Sequence, residues 1–482
     1  MTKRGGLLML RTVGLLVGLF LLAGFSWAQS PNATVTGRVL DTSKLVIVGA
    51  RVVVINVNTN ASNINDTNSE GIYVVGDLPP GSYRIEVSKS GFKTIFKPDI
   101  VLHVQDVIAI NFILPVGSAS ESITVRGGAP LVQTESAAVS TVVDRQFVEN
   151  LPLNGRSFQA LIELTPGVVL TPSTNFALGQ FSVDGQRPSS NYYMVDGVAA
   201  NIGIISGSPG QSAGGTAPGL SVQGGTNSLV SVDAMQEFRI QTSTYAPEFG
   251  RAPGAQISIA TRSGTNAYHG ALFEYFRNDV LDANDWFNDQ SGAPKSAERQ
   301  NDFGGVLGGP IVKDRTFFFV SYEGLRLRQP QFVKTCVPSA YARAQASPQV
   351  LPFLNAYPIA NNDPGSCPAN PPPFPPSPSF LAELDAGYSD PSTLNAGSVR
   401  MDQIVNSKLT IFGRYDYAPS STYQRGGDGV ATLSSVGFTQ LRTQTLTLGT
   451  TWAIGPNLAN DLRFNFSNNG LNNRFNLDKF HG

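Results

Sequence analysis

The sequence is poor in cysteine, with two, and in histidine, with three. His103, His269 and His481 are scattered, and no Cys/His metal spacing occurs, so neither a metal nor another cofactor is expected. Charge of neither sign dominates: 34 Lys and Arg stand against 35 Asp and Glu. No basic stripe is visible, which argues against a nucleic-acid partner. Beyond the N-terminus, no apolar run reaches the ~20 residues that a membrane helix needs. No Ser/His/Asp set, zinc cluster or phosphate loop stands out, so no catalytic residue is assigned and no enzyme is expected. Asp184 and Asp196 follow two similar strands, but their Asp-Gly context reads as turns.

Glycine and proline are abundant, 49 and 32 residues, which favours many turns over long helices. Apolar and polar residues alternate repeatedly, so the chain is expected to be mainly β. Its 482 residues suffice for about three domains at roughly 150 residues each. Residues 1–28 read as a secretory signal. Lys3, Arg4 and Arg11 supply positive charge, Leu15–Phe25 the apolar core, and Ser26-Trp27-Ala28 a small-residue cleavage site followed by polar Gln29-Ser30. Export leads to an oxidising compartment, where Cys336 and Cys367 could close a loop disulfide; the alternative is two separate thiols.

Residues 31–116 show about seven short strands with turns between them, as in a small β-sandwich. Ala50–Val57 is apolar on both faces and reads as a central strand. Further on, Tyr83, Ile85 and Val87 alternate with Arg84, Glu86 and Ser88. Gly37-Arg-Val-Leu-Asp41, Gly71-Ile-Tyr-Val-Val75 and Leu78-Pro-Pro-Gly-Ser-Tyr83 resemble the carboxypeptidase regulatory-like domain. A metallocarboxypeptidase centre needs two histidines and a glutamate around one zinc. Here His103 is followed by Val104, Gln105 and Asp106, with no second histidine nearby, so a structural or interaction module is expected.

A linker, 117–130, carries Glu121-Ser122-Ile123-Thr124-Val125 between Gly117-Ser-Ala-Ser120 and Gly127-Gly128. A short β-prone segment on a flexible tether suits pairing with another protein's sheet edge. The alternative is a last strand of the first domain. A middle domain, 131–265, combines α and β signals. Asp144–Asn150 reads as a capped helix stopped before Pro152, and Asn154–Thr165 as a second helix burying Phe158, Leu161 and Ile162 with Leu164 to one flank. Residues 203–228 are rich in glycine and serine. In the stretch Val232–Gly270, Phe238 and Ile240 alternate with Arg239 and Gln241, and Ile257 and Ile259 with Ser258 and Ala260.

Leu151-Pro-Leu-Asn-Gly-Arg-Ser-Phe158, Val183-Asp-Gly-Gln-Arg187, Val195-Asp-Gly-Val198 and Gly264-Thr-Asn-Ala-Tyr-His-Gly270 resemble the plug of TonB-dependent receptors of the Oar type. The resemblance covers essentially the whole mature chain. It implies an outer-membrane receptor with energised uptake of an unidentified ligand and the N-terminal domain in the periplasm. It also implies that Glu121–Val125 is a TonB box, that residues 131–265 are the plug, and that TonB with its inner-membrane energising complex is the partner.

Residues 266–482 would then begin an antiparallel transmembrane β-barrel, its outer face against outer-membrane lipid. In Leu458–Ser467, Leu458, Leu462, Phe464 and Phe466 oppose Asp461, Arg463, Asn465 and Ser467. Lys408–Tyr417 and Leu441–Ile454 alternate likewise, whereas Phe317–Tyr322 is apolar on both faces. Short turns are expected near Val312–Asp314, Val405–Ser407 and Gly455–Asn457, and long connections near Asp279–Gln300, Gln329–Gly397 and Pro419–Gln440. Plugged transporters have about 22 strands. About seven are visible here, so the barrel is expected to be incomplete and the chain not transport-competent alone. The alternative function is a surface interaction or assembly protein without transport.

Overall fold

Alternation at period two runs through three blocks of the chain, and each block builds its own sheets. The computed structural model describes residues 30–480 apart from 119–120, 126–134, 151–158, 171–180, 203–225, 247–248, 251–252, 285, 293–294, 296, 363–366, 377, 427–432 and 456–457. The expected signal, the Leu151–Phe158 motif and most of 203–228 lie outside the described residues, as does the greater part of the Gly455–Asn457 turn.

The first block holds β1 Ala33–Asp41, β2 Arg51–Asn56, β3 Ser62–Asp66, β4 Ile72–Leu78, β5 Gly81–Ser88, β6 Thr94–Leu102, β7 Val107–Ala109, β8 Phe112–Leu114 and β9 Ser122–Thr124. One sheet runs β4-β1-β7, with β8 also on β1, and the other runs β3-β2-β5-β6-β9. They enclose one apolar core to which Val35, Val52, Val54, Tyr83, Ile85 and Val87 contribute. β2 pairs on both edges, with β3 and β5, yet only one of its faces is in the core: Val52 and Val54 are buried, whereas Val53 and Ile55 are half-buried. Gly37 marks the tightest crossing. A Cβ there would sit 1.9 Å from the Ile110 carbonyl, which instead accepts the Tyr73 hydroxyl at 2.8 Å.

The middle block holds β10 Val139–Val143, helix α1 Arg145–Asn150, helix α2 Gln159–Ile162, β11 Val168–Leu170, β12 Phe181–Val183, β13 Tyr192–Val195, β14 Val198–Ala199, β15 Met235–Ser243 and β16 Gln256–Thr261. Asp144 caps α1 by accepting the Phe147 amide at 3.1 Å. The second helix is one turn within the described residues. Its Leu161 and Ile162 are buried and Leu164 is exposed, as the helical spacing predicts; Phe158 is outside the described residues. The main sheet runs β10-β15-β16-β13-β14, with β13 and β16 parallel. Every residue of β16 is buried, polar and apolar alike. The apolar side packs on Phe181, Val183 and Tyr193 in the block's core. The polar side is covered by the first block, as described below.

The last block is a single seven-stranded antiparallel sheet in chain order: β17 His269–Asn278, β18 Arg299–Val312, β19 Thr316–Pro338, β20 Leu381–Asn406, β21 Leu409–Arg425, β22 Ser435–Gly455 and β23 Leu458–Leu477. Leu462, Phe464 and Phe466 are exposed on its outer face, and the alternate Arg463, Asn465 and Ser467 are half-buried on the other. The ambiguous Phe317–Tyr322 run resolves the same way. Phe317 and Phe319 face inward and are buried, with Phe319 in the middle block's core, while Tyr322 is exposed.

The connections alternate between long and short, but two are shorter than expected. The connection expected at Gln329–Gly397 spans only 339–380, because Gln329–Pro338 continues in register against Leu381–Asp390. That expected at Pro419–Gln440 shrinks to 426–434, with Pro419 inside the ladder opposite Arg442. Polar composition and proline suggested loops there. A 26-residue strand such as β20 spans roughly 85 Å at ~3.3 Å per residue, far more than an apolar band of ~25 Å. Its far end runs on past that band, where Leu384 and Ala386 pack with Val337 of β19 and Leu433 in a small apolar cluster.

An arginine at Phe464 would lie in the lipid-facing row. Phe464→Arg should cost about 2–4 kcal/mol near the bilayer midplane and reduce heat-resistant, membrane-inserted protein on gels. Asn465→Arg, one residue along on the wet face, should leave insertion near the parent level. Equal behaviour of the two would mean that the outer face is misassigned.

Candidate functional site

The middle block meets the wall through a buried charge cluster. The turn after β13 puts Asp196 and Gly197 at positive φ, 49° and 82°, which aims the Asp196 carboxylate toward β20 and β21. Its Oδ1 accepts the Thr261 amide at 3.0 Å and Arg400 Nη1 at 3.2 Å. Its Oδ2 accepts the Thr261 hydroxyl at 2.8 Å and Arg414 Nη1 at 3.1 Å. Alternation on β20 and β21 turns both arginines inward. Asp402 binds Arg400 with its shortest contact at 2.8 Å, and Asp416 binds Arg414 at 2.7 Å. Arg414 also donates to the Leu229 carbonyl at 2.7 Å.

Burial alone would raise the Asp196 carboxyl, but Arg400, Arg414 and the two Thr261 hydrogen bonds outweigh it and hold the group below the usual carboxylate range. A second seat lies along β19. Fully buried Glu323 accepts hydrogen bonds from Asn227 and Ser231 of the middle block.

The first block grips the opposite polar face of the middle sheet with residues 103–106. His103 Nδ1 and Glu237 Oε2 lie 2.8 Å apart, and the Val104 amide donates to Glu237 Oε1. Gln105 donates to Ser258 Oγ at 2.8 Å and accepts from Gln241 at 2.7 Å. Asp106 pairs with Arg239, and both are buried. These contacts explain why all of β16 and the Glu237–Gln241 stretch of β15 are buried. The hydrogen bond to Glu237 raises the His103 pKa against the opposing effect of burial. The first block also touches the wall: Asn60 donates to Asp314 Oδ1 at 2.8 Å, in the tight turn between β18 and β19.

The segment Glu121–Val125 lies beside the first block. β9 pairs in parallel with β6, Ser122 opposite Thr94, Ile123 opposite Ile95 and Thr124 opposite Phe96, with all three β9 side chains exposed. Cys336 and Cys367 are joined as a disulfide between the end of β19 and the following connection. Asp184 occupies an Asp-Gly turn like that of Asp196, with φ 49°. Sequence reasoning took Asp196 as a turn residue and missed its charge role, because its partners lie 204 and 218 residues away. The signal available was a pair of arginines on the polar rows of two alternating strands.

Removing one member of a buried ion cluster leaves charge uncompensated, at about 3–5 kcal/mol. Asp196→Ala should therefore lower the urea midpoint for release of the middle block from the wall, and Asp196→Asn, which can still accept from Thr261, should lower it less. A depressed carboxylate contributes stability above its unfolded pKa of about 4 and loses it as pH falls through the folded value. Acid taken below the folded value, well under about pH 4, should thus reproduce the alanine effect. The His103 contact has the opposite sign. A raised histidine contributes fully below about pH 6.5 and its contribution is lost as pH rises through the folded value. Amide protection at Val104 should fall as pH rises above about 6.5 and passes the folded value, and His103→Gln should remove that pH dependence.

Residues 260–481 match the family model described as outer membrane beta barrel domain, and residues 34–115 match the carboxypeptidase regulatory-like domain. The TonB-dependent transporter Oar of Myxococcus xanthus is 29% identical over 326 residues, covering 65% of this chain and 28% of that protein. The chain thus spans 28% of the length of this curated relative. Among solved structures, the outer membrane transporter YddB from Escherichia coli is similar with a TM-score of 0.43 and 12% identity, covering 66% of this chain and 37% of that one. The siderophore receptor PirA from Acinetobacter baumannii is similar with a TM-score of 0.39 and 14% identity, covering 70% and 44%. These relatives are transporters and receptors rather than enzymes. The chain is a homologue of the TonB-dependent transporter Oar, a mainly β protein of the cell outer membrane whose carboxypeptidase regulatory-like domain precedes an outer membrane β-barrel domain.

Proposed function

We propose that this chain forms the leading part of an outer-membrane transporter for energised uptake of a ligand. In this reading residues 1–28 direct export, 31–116 form a periplasmic sandwich, 117–130 carry the TonB box at Glu121–Val125, 131–265 are the plug, and 266–482 begin the barrel wall. The observation that carries the reading is the seating of the middle block on the wet face of the wall, with Asp196 held by Arg400 and Arg414. A stopper must fill a lumen and still be movable, and a polar, hydrogen-bonded contact surface allows both. The contact of Asn60 with the tight turn at Asp314 supports a periplasmic sandwich, since short turns mark the periplasmic end of such barrels.

Ligand would contact the long connections and the outer surface of the plug. TonB, energised from the inner membrane, would draw on Glu121–Val125 and shift the plug. β17 and β23 are the two edges of the described sheet, and unpaired backbone in lipid costs on the order of several kcal/mol per group. Transport therefore calls for further strands that close the wall between those edges.

The test is Ile123→Pro in the full-length receptor. A proline in a pairing strand removes a donor amide. Capture by purified TonB periplasmic domain should be lost while the amount of receptor in the outer membrane stays unchanged. Undiminished capture would overturn the TonB-box assignment and favour a surface assembly role without transport.

A further inference from the structure

We propose that the outer face of β19–β21 holds a phosphorylated lipid of the outer leaflet, with an acyl chain in a groove over Gly397 and the phosphate against arginines at the groove's outer end. The groove is a product of the pleat. Gly397 of β20 stands in register between Tyr322 of β19 and Tyr417 of β21, and both tyrosines are exposed. Val320, Val399 and Pro419 extend the walls around a hollow of about 370 Å³. The backbone does not demand glycine at this position. A Cβ on Gly397 would find its nearest neighbour, the Ser321 carbonyl, at 4.0 Å. The absent side chain therefore leaves an apolar trough rather than relieving a clash.

Toward the outer end, past tyrosines of the kind that mark a bilayer interface, the outward rows become basic. The Tyr322 hydroxyl and Arg326 Nη2 both donate to Asn395 Oδ1, at 2.9 and 2.8 Å, and Asn395 lines the groove. This shared acceptor draws the Arg326 guanidinium to the groove's rim. Arg442 of β22 stands opposite Pro419 on the other flank. Further out, Arg299 and Arg328 face each other across β18 and β19. All four arginines are exposed, and none pairs with a carboxylate among the described residues. Glu274, an outward carboxylate, lies away from them on the edge strand β17, opposite Phe303. Like charges placed opposite each other on a sheet repel. A phosphate relieves that repulsion, and the guanidinium fork matches its oxygens. Any lipid chain can fill an apolar trough, and any anion can meet an exposed arginine. The adjacency of the two selects a molecule that carries both a chain and a phosphate.

The experiment titrates dioleoyl phosphatidic acid into the full-length receptor in detergent and reads bound lipid by native mass spectrometry. The parent should retain one phosphatidic acid at least about tenfold more tightly than dioleoylglycerol, which lacks the phosphate, or inorganic phosphate, which lacks the chains. Arg326→Gln combined with Arg442→Gln should weaken phosphatidic acid about tenfold and leave dioleoylglycerol unchanged. Gly397→Leu, which fills the trough where a Cβ has room, should weaken phosphatidic acid by a similar factor. Arg328→Gln replaces the double variant should that one fail to insert, with a loss in the same direction. Equal retention of phosphatidic acid and dioleoylglycerol overturns the site, since it leaves only a crevice that any chain can enter. Inorganic phosphate bound as tightly as the lipid overturns it too. So does a loss in the arginine variants with none in Gly397→Leu, which reduces the effect to surface attraction. A receptor dimer that persists with no lipid bound assigns the groove to a second copy and overturns the lipid.

Discussion

A sheet that alternates greasy and wet residues can meet lipid on only one side, and its wet side must be satisfied by water or by protein. This constraint shapes the rest of the molecule. On β20 and β21 the wet side carries Arg400, Arg414, Asp402 and Asp416, which neutralise one another in pairs. What remains is donor capacity on the two guanidinium groups, aimed at the middle block. Asp196 accepts from both. The carboxylate is costly to bury alone, and the arginines would be less well satisfied without it, so the position of the middle block on the wall follows from the pleat of the wall itself.

The same reasoning accounts for the polar residues of the middle sheet. Arg239, Gln241, Gln256 and Ser258 alternate with Phe238, Ile240, Ile257 and Ile259, which by pattern alone would make one face of that sheet solvent-exposed. Instead the 103–106 segment of the first block supplies a matching set of donors and acceptors, and both faces become buried. The two faces are thus built differently. One packs apolar side chains into a core, and the other joins two domains through directional bonds whose strength depends on protonation of His103.

Much of the architecture could be read from period-two alternation: the sandwich strands, the lipid-facing row Leu462, Phe464 and Phe466, and the alternation of short and long connections. Gln329–Pro338 and Pro419–Arg425 read as loop from sequence, yet both continue the ladder: Val337 packs with Leu384 and Ala386 in a small apolar cluster, and Ala418, Ser420 and Thr422 alternate inward on β21. The charge cluster was illegible in the sequence. Local pattern identified Asp196 as a turn residue, and nothing local says that Arg400 and Arg414 close on it from strands more than two hundred residues away. Likewise His103 was weighed only as a zinc ligand, whereas its partner Glu237 belongs to a different sheet.

The three contact zones differ in how they resist being pulled apart. The Asp196 cluster is buried, shielded from salt and shared among several side chains, so it yields last. The 103–106 contact is also largely buried, but it hinges on a titratable imidazole that is partly open to solvent. The β9 pairing has no buried side chain. A load applied at Glu121–Val125 therefore meets the weakest contact first. Once β9 peels from β6, the strain passes through the linker that follows it to β10, which pairs with β15, the strand carrying Glu237 and Arg239. Force entering at the linker reaches the clasped sheet before it reaches the seat on the wall. The order of release follows from burial and hydrogen bonding alone.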